Sequence, residues 1–326
     1  MKRCFFLLVV TLVSTTMSFG QSTLVATLSH GDSITMYYGS YALRDAYNAA
    51  ESGDVINLSG GVFQAVNIYK AITLRGTGID DAYPTYIIND FGVEAPDTEP
   101  GRFLMEGIRC PNRLYLGGGN SNTHFSKCWI SWIDDCGGSP AKNVLFTNCK
   151  ITSHCFIYDS PITMQFVNCY IRDYQNPKEG SGATFVNCVM WNGHGTEIRN
   201  SQFVNCIIES VYDSFPSSCV ASNCIGIRNN SLFSGSPSNT NCRMATFEEV
   251  FKSYRAGDYT EGETYELTDE AKAKFLGTDG TEVGMYGGVL PYTSTPSYPQ
   301  ITKMNVANKT TADGKLSVEI EVSAAE

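Results

Sequence analysis

The sequence predicts an all-β protein whose chain winds into stacked turns, a parallel β-helix. Two observations predict this fold: a short word containing Cys recurs at a nearly constant spacing, and large apolar residues keep fixed distances from that Cys. A period near twenty residues with one repeated strand is typical of solenoids, in which each turn buries its apolar face on the next. The words FSKCWI, FTNCKI, FVNCYI, FVNCVM, FVNCII, ASNCIG and TNCRM contain Cys128, Cys149, Cys169, Cys188, Cys206, Cys224 and Cys242.

An Asn before the Cys decides which side chains of each turn face the core. In the first five words, a Phe lies three residues before the Cys and an Ile or Met lies two residues after it. Residues three apart in an unbroken strand face opposite sides. A left-handed backbone at the Asn would turn the chain, and Asn tolerates that conformation better than most residues. We therefore expect Phe, Cys and Ile or Met to point inward together, with stacked asparagines forming a hydrogen-bonded ladder. These asparagines are Asn148, Asn168, Asn187, Asn205, Asn223 and Asn241.

The cysteines of the repeat are expected to be small core residues with free thiols. Stacked strands hold neighbouring Cβ atoms about 4.8 Å apart, which is wider than the ~3.8 Å that a disulfide prefers. The alternative is one disulfide among the cysteines outside the repeat, Cys110, Cys136, Cys155 and Cys219. No Cys-x-x-Cys pair occurs in the sequence, so no metal site is expected.

The N-terminus predicts a secretory signal peptide. Lys2 and Arg3 precede the apolar stretch Phe5–Val13, and Gly20 ends a small-residue cleavage site. This stretch is too short to span a bilayer, which takes about 20 residues. We expect a secreted or cell-surface protein without a transmembrane segment.

The charge of the chain argues against nucleic acid as a partner. The 23 Lys and Arg residues are outnumbered by 33 Asp and Glu residues, which gives a formal net charge of −10 at pH 7. Proteins that bind nucleic acid normally carry a basic stripe, because contacts with phosphate provide much of their affinity. The sequence has no run of basic residues.

Helical caps are predicted at both ends of the solenoid, because open ends would expose the core and unpaired strand edges. At the front, residues 41–51 form an amphipathic helix. At the back, Thr246 and Glu249 form a capping box that begins a helix reaching about residue 254. A second helix is predicted over residues 269–276.

The chain is expected to end in a short β tail. Residues 301–323 predict a hairpin or tail with its turn at Asp313-Gly314. The predicted parts are a signal peptide (1–20), the β-helix domain with its caps (21–290) and a linker with the β-hairpin tail (291–326).

Several segments resemble a known group of proteins. ALRDAYNAAESGDVINLSGGVF (42–63) resembles the N-terminal segment of secreted right-handed parallel β-helix proteins, the pectate-lyase-like superfold. The whole chain resembles a group of exported bacterial β-helix proteins, through residues 26–50, GTDGTEVGMYGG (277–288) and residues 299–322. The resemblance implies a right-handed β-helix and export. Because the superfold includes polysaccharide lyases, glycoside hydrolases, esterases, adhesins and phage tailspikes, the fold alone does not choose an activity.

The sequence contains two fragments of the polygalacturonase pattern. They are Asp134-Asp135 and Gly193-His194-Gly195. About three turns separate them, which is too far for the cooperation that inverting hydrolysis requires. We interpret the match as chance, and place His154 and His194 in irregular connections between strands.

The catalytic alternative is a polysaccharide lyase or glycoside hydrolase. In that case Lys150 or Arg172 would be the base, with Asp173 or Glu209 nearby, and His194 is a weaker candidate. No cofactor is expected, except Ca²⁺ if the protein is a lyase.

A binding face is predicted on the outward side of the strands that follow each Cys. Adjacent turns would place Trp129, Tyr170 and Trp191 beside Lys150 and Arg172 on one flat sheet. Such a face needs either a ligand or a cover, and the 301–323 tail is a candidate cover. We hypothesise a secreted or surface-exposed protein that binds extracellular polysaccharide along this face. The alternatives are the lyase or hydrolase and a structural adhesin.

Overall fold

The computed structural model of the chain describes residues 24–80, 82–95, 101–117, 122–135, 142–157, 162–176, 181–192, 198–210, 218–228, 232–233, 239–253, 259–306, 309–311 and 313–323. The predicted signal peptide, Cys136 and His194 lie outside these ranges.

The chain forms a parallel β-solenoid of about eight turns, which confirms the predicted fold class. Each turn contributes one strand to each of two long sheets, and apart from the first two strands the pairing within both sheets is parallel. Its right-handedness stays a prediction.

The first sheet contains, in spatial order, β2 (Ser33–Tyr38), β1 (Val25–His30), β3 (Val55–Leu58), β5 (Thr73–Arg75), β8 (Leu104–Glu106), β10 (His124–Ser126), β12 (Val144–Thr147), β14 (Thr163–Val167), β17 (Gly182–Val186), β19 (Gln202–Val204) and β21 (Val220–Ser222). Strands β1 and β2 form an antiparallel hairpin, and β1 also pairs antiparallel with β3.

The second sheet contains β4 (Gly61–Gln64), β6 (Thr85–Ile88), β9 (Ile108–Leu116), β11 (Trp129–Asp135), β13 (Lys150–Phe156), β15 (Tyr170–Arg172), β18 (Val189–Asn192), β20 (Ile207–Ser210), β22 (Ile225–Ile227) and β23 (Arg243–Ala245). Two short strands join it from the side: β7 (Phe91–Val93) pairs with β9, and β16 (Tyr174–Gln175) pairs with β13.

Three helices and a hairpin complete the described elements: α1 (Ala42–Ala49), α2 (Phe247–Val250), α3 (Asp269–Lys274), β24 (Gln300–Val306) and β25 (Val318–Ser323). Helix α1 buries Leu43 and Tyr47 in the same core as the solenoid strands. Strands β24 and β25 pair antiparallel with each other.

The predicted column of phenylalanines forms the centre of the core. Phe125, Phe146, Phe166, Phe185 and Phe203 occupy matching positions in successive strands of the first sheet. Their neighbouring rings stack 4.8–5.0 Å apart and within 12° of parallel. Each ring stabilises the fold because its apolar surface is removed from water and because it stacks on the ring of the next turn. The column therefore stabilises the stack of turns.

The Asn before each Cys has the predicted left-handed backbone. The φ angles of these six asparagines lie between 52° and 56°, and Lys127, which replaces Asn in the first word, has a φ of 52°. This one-residue turn separates the two sheets and lets Phe and Cys both face the interior. The expected hydrogen-bonded ladder was wrong for Asn168, Asn205 and Asn223, because their side chains bond to a later segment of the chain.

The cysteine prediction is confirmed for the described residues. The ten described cysteines are free; nine are buried and Cys242 is half-buried. In five cysteines of the repeat, the thiol lies 3.2–3.3 Å from the carbonyl oxygen two residues earlier and 3.4–3.5 Å from the carbonyl oxygen of a Phe in the preceding turn. These are Cys149, Cys169, Cys188, Cys206 and Cys224. The thiols therefore provide weak donors for buried main-chain oxygens at the turn.

The two C-terminal helices differ from the prediction in length and place. The capping box of Thr246 and Glu249 is present, but α2 ends at Val250 because Phe251 forms a bridge with Leu267. Thr268 is the N-cap of α3, as its sequence suggests. Both helices pack on the outer face of the second sheet, where Val250 and Ala271 share a cluster with the strand residues.

A long segment then returns along the solenoid, and we call residues 276–299 the strap. Asn223 donates to the carbonyl of Leu276, and Asn168 donates to the carbonyls of Met285 and Gly287, at 2.7–3.2 Å. Further along the strap, Ser297 bonds to Glu106 in an earlier turn. The strap therefore runs from the last turns toward the first, with its residue numbers rising as those of its partners fall.

Close approach requires glycine at one point of the strap. Gly284 has a φ of +84°, and a Cβ there would lie 2.8 Å from Cδ1 of Ile207. Its backbone N–H donates to the carbonyl of Asn205 at 2.9 Å. The glycine-rich word at 277–288 is thus explained by the need to lay backbone directly on the corner of the solenoid.

Candidate functional site

The predicted aromatic face exists, but much of it is covered. Trp129, Lys150, Tyr170, Val189 and Ile207 are aligned on successive strands as expected. Tyr170 is only 1% exposed, because the ring of Tyr265 stacks on it with centroids 4.5 Å apart. Trp191, in the adjacent column, is also buried.

The described cover comes from a segment other than the tail that the sequence suggested. Val189, Ile207 and Ile225 of the second sheet pack against Phe251 and Phe275, from the segment between residues 245 and 292. The described side chains of residues 309–322 are exposed instead. A ligand cannot stack on Tyr170 while this segment is in place.

Lys150 is buried within the covered part of the face. Its side chain lies over the ring of Tyr292, with Nζ 5.5 Å from the ring centre, and only 7% of the residue is exposed. Burial lowers the pKa of Lys150, Asp80 opposes this effect, and the guanidinium of Arg109 lowers the pKa further. No described carboxylate forms an ion pair with its amine, since Arg109 takes the nearby Glu261 at 2.7 Å. The amine is therefore poorly compensated.

A second column of side chains crosses the same sheet nearer the ends of its strands, and we call Arg113, Trp132, His154 and Asp173 the charged row. The guanidinium of Arg113 lies 4.4 Å from the ring centre of Trp132, and the ring centres of Trp132 and His154 are 4.5 Å apart. Nδ1 of His154 is 3.5 Å from Oδ2 of Asp173. The row brings a cation, an indole, an imidazole and a carboxylate into contact on consecutive turns.

The remaining catalytic candidates lie beside this row. Nε of Arg172 is 3.8 Å from Oδ2 of Asp173, and its guanidinium lies 4.7 Å from the ring centre of Trp191. Glu209 is one strand beyond Trp191 and pairs with Arg228 at 3.1 Å. The structure thus brings Arg172 and Asp173 together, places Glu209 two strands away from Arg172, and leaves Lys150 in the covered column.

His154 was wrongly placed in a loop by the sequence analysis. It lies within β13, opposite Trp132 of β11. The register of β11 against its neighbours shifts between Ile130 and Trp132, so a simple alternation counted from Cys128 fails beyond that point. His194 lies outside the described residues, as does the Gly-His-Gly word that contains it.

The outer face of the first sheet has a long open groove, which we call the amide groove. It consists of two adjoining cavities of about 470 and 320 Å³ that share Asn143 and Gln165. The lining of the first begins at Gly101 before β8, and the lining of the second ends at Gln202 in β19. Six consecutive turns contribute lining residues, four of them from their strands and two from the segments just before their strands. At a spacing of about 4.8 Å, six turns give the groove a length of roughly 24 Å.

Amides and hydroxyls dominate the lining of this groove. Leu145, Gln165, Thr184 and Gln202 form one outward column on consecutive strands. A second column runs along the corner where the chain enters these strands, and its members Asn122, Asn143 and Asn200 have left-handed backbones. Arg102 is the charged residue among the described lining residues. This groove was not predicted from the sequence, because isolated Gln and Thr residues look like ordinary exposed positions.

Within the described ranges, no set of three or more His, Cys, Asp or Glu side chains is placed to hold a metal ion. Over the same residues, no helix combines the length and the apolar character needed to cross a membrane. Comparison of the chain with protein-family models, with curated proteins and with solved structures gave no match.

Proposed function

We propose that this protein is exported and binds extracellular polysaccharide along the amide groove of its solenoid. The observation that carries the proposal is the open groove across six turns, whose lining includes Asn, Gln, Thr and Ser side chains. The proposal keeps the partner expected from the sequence and moves it to the other sheet, because Tyr170 and Lys150 are buried.

The chemistry of the lining favours an uncharged or weakly charged glycan. Amide side chains both donate and accept hydrogen bonds, so they match sugar hydroxyls in either orientation. No Asp or Glu occurs among the described lining residues, although the chain as a whole has a net charge of −10. The lining adds no negative charge of its own, but the net charge of the protein still opposes the approach of acidic polymers, so a neutral polymer fits best.

The shape of the groove favours an extended chain over a small ligand. Its length of roughly 24 Å follows from the strand spacing, and both cavities are open to solvent along one side. A polysaccharide that gains a few hydrogen bonds on each turn can reach useful affinity from contacts that are individually weak. Export and a right-handed coil, both implied by the resemblance to pectate-lyase-like proteins, belong to the same proposal.

The test is affinity electrophoresis in gels that contain a soluble β-glucan, xylan, mannan or polygalacturonate. We expect retardation by a neutral polymer, and about a tenfold loss of affinity when Gln165→Ala and Gln202→Ala are combined. Gln64→Ala, an exposed Gln of the second sheet, is the matched control. Unretarded migration of the wild type in all four gels, or equal retardation of the double variant, would refute the proposal.

A second candidate function is cleavage of a glycan that lies on the second sheet, beside the charged row and not in the amide groove, and the contact between His154 and Asp173 is the observation that favours it. An imidazole whose Nδ1 lies 3.5 Å from a carboxylate is the kind of pair that general acid-base catalysis uses. Release of reducing ends or of unsaturated sugars from the retarding polymer would be abolished by His154→Gln. Wild-type protein that binds the polymer but leaves its chain length unchanged would exclude cleavage without affecting the binding proposal.

A further inference from the structure

Strand β2 forms an unpaired edge of the first sheet. It pairs with β1 over six residues, from Ser33 to Tyr38, and no other described strand pairs with it. Gly39 donates its N–H to the carbonyl of Leu24, and alternation along the strand then directs the main-chain groups of residues 33, 35 and 37 toward β1. The N–H and C=O groups of Ile34, Met36 and Tyr38 therefore point away from the sheet.

This edge lacks the features that normally protect such strands. Its sequence, SITMYY, has no charged residue and no Pro, and its register with β1 has no bulge. Three apolar side chains on its outer face are largely exposed, at 68% for Ile34, 56% for Met36 and 62% for Tyr38. An uncharged edge with an exposed apolar face is a template for another strand.

The occupant must keep these three side chains on one face and use all of the free main-chain groups. Antiparallel pairing of β2 with itself does both when Met36 lies opposite Met36 of the other copy. Ile34 then lies opposite Tyr38, and the three pairs exchange six main-chain hydrogen bonds. A shift by one residue would move the apolar side chains to opposite faces, and a shift by two would lose hydrogen-bonded pairs.

We propose that β2 joins two copies of this chain edge to edge about a two-fold axis through Met36. Each copy contributes the same patch, so the contact closes on itself and does not grow into a fibre. The charges permit it: both copies are acidic overall, but in this register Asp32 lies opposite Ser40, so no carboxylates oppose each other near the axis. The first sheets of the two copies become one continuous sheet.

Cysteine cross-linking tests the register directly. The expected Cα separation of the hydrogen-bonded Met36 pair is about 5.5 Å, which suits a disulfide. We expect Met36→Cys to give a covalent dimer on mild oxidation of the purified chain. Ile34→Cys is the matched control, because its two copies would lie about 14 Å apart. Wild-type protein is the control for cross-links through the native cysteines, of which those described are buried or half-buried.

Mixing variants supplies the positive arm. Ile34→Cys and Tyr38→Cys should each give no covalent dimer alone and should cross-link when mixed, because these positions face each other across the axis. In sedimentation, Met36→Lys should abolish the concentration-dependent dimer, whereas Tyr69→Lys, at another exposed apolar position, should leave it unchanged. The proposal is overturned if Met36→Cys does not cross-link, if all single variants cross-link equally, or if the wild type is monomeric throughout.

Discussion

The carboxylate of Glu106 accepts two hydrogen bonds from Ser297, 191 residues further along the chain. The backbone N–H of Ser297 donates to Oε1 at 2.7 Å and its hydroxyl donates to the same atom at 2.6 Å. Glu106 is only 2% exposed, and Nζ of Lys127 lies 3.8 Å from this oxygen. The end of the strap is thus fixed to the third turn by a buried charge.

Loss of the Ser297 hydroxyl should destabilise the fold. Ser297→Ala removes one hydrogen bond to a buried carboxylate, and we expect the free energy of unfolding to fall by about 1–3 kcal/mol. Urea denaturation measures the change. Thr295→Ala, two residues away on an exposed position, is the control and should have little effect; equal losses for both variants would contradict the assigned role.

Comparison of Asn148 with Asn168 separates two roles of the Asn that precedes each Cys of the repeat: its left-handed backbone and its side-chain contact with the strap. Asn148 and Asn168 both have a φ of 53°, but Asn168 donates two hydrogen bonds to the strap. Glycine keeps the left-handed backbone and removes the side chain. We expect Asn168→Gly to lose about 2 kcal/mol more than Asn148→Gly in urea denaturation. Equal losses would show that the two hydrogen bonds contribute nothing measurable.

His124 should make the fold sensitive to acid. Burial, and then the nearby Arg102, lower the pKa of His124 to about 4 from an ordinary value of 6.5. The unfolded chain therefore binds a proton at higher pH than the folded chain, and stability should fall as the pH drops from about 6.5 toward 4. His124→Gln should weaken this dependence in thermal melts across that range while both proteins respond alike between pH 7.5 and 8.5. An unchanged slope would contradict the prediction.

Lys150 should also make the stability of the fold rise with pH, but at a higher pH than His124. Its folded-state pKa is lowered from 10.5, so the charged form is disfavoured in the fold, and stability should rise as the pH increases through the lowered pKa toward 10.5. Lys150→Met keeps the aliphatic stem and removes the charge. We expect a higher melting temperature at pH 7 for this variant, and no change for Lys315→Met, whose side chain is exposed. A lower melting temperature for Lys150→Met would show that its contact with Tyr292 outweighs the cost of burial.

The turns of the solenoid could be predicted because each repeat contains the residues that determine its own local structure. In one repeat, Phe166 fills the core, Asn168 makes the left-handed turn and Cys169 is the small buried residue that follows it. Phe166 packs against the equivalent Phe residues of the adjacent repeats. Such short-range, repeated constraints are visible in one sequence.

The candidate site was less predictable because it depends on contacts between distant segments. The alignment of Lys150 with Tyr170 followed from the repeat, but nothing local indicated that Tyr265 and Tyr292 would cover them. His154 was misplaced because β13 continues to Phe156, beyond the short strand that the Cys-containing word indicates. The amide groove appears only when side chains such as Gln165 and Gln202, spaced one repeat apart or more, are seen on one surface.

The strap sets the number of turns that this protein can have. Repeat proteins often gain or lose units by duplication, since each unit contacts only its neighbours. Here an additional turn would lengthen the solenoid by about 4.8 Å. The part of the strap between its contact with Asn205 and its contact with Glu106 would then need about one or two more extended residues to reach both. A longer solenoid could therefore evolve only if an inserted turn were matched by an insertion in the strap, which is encoded far from most of the repeats.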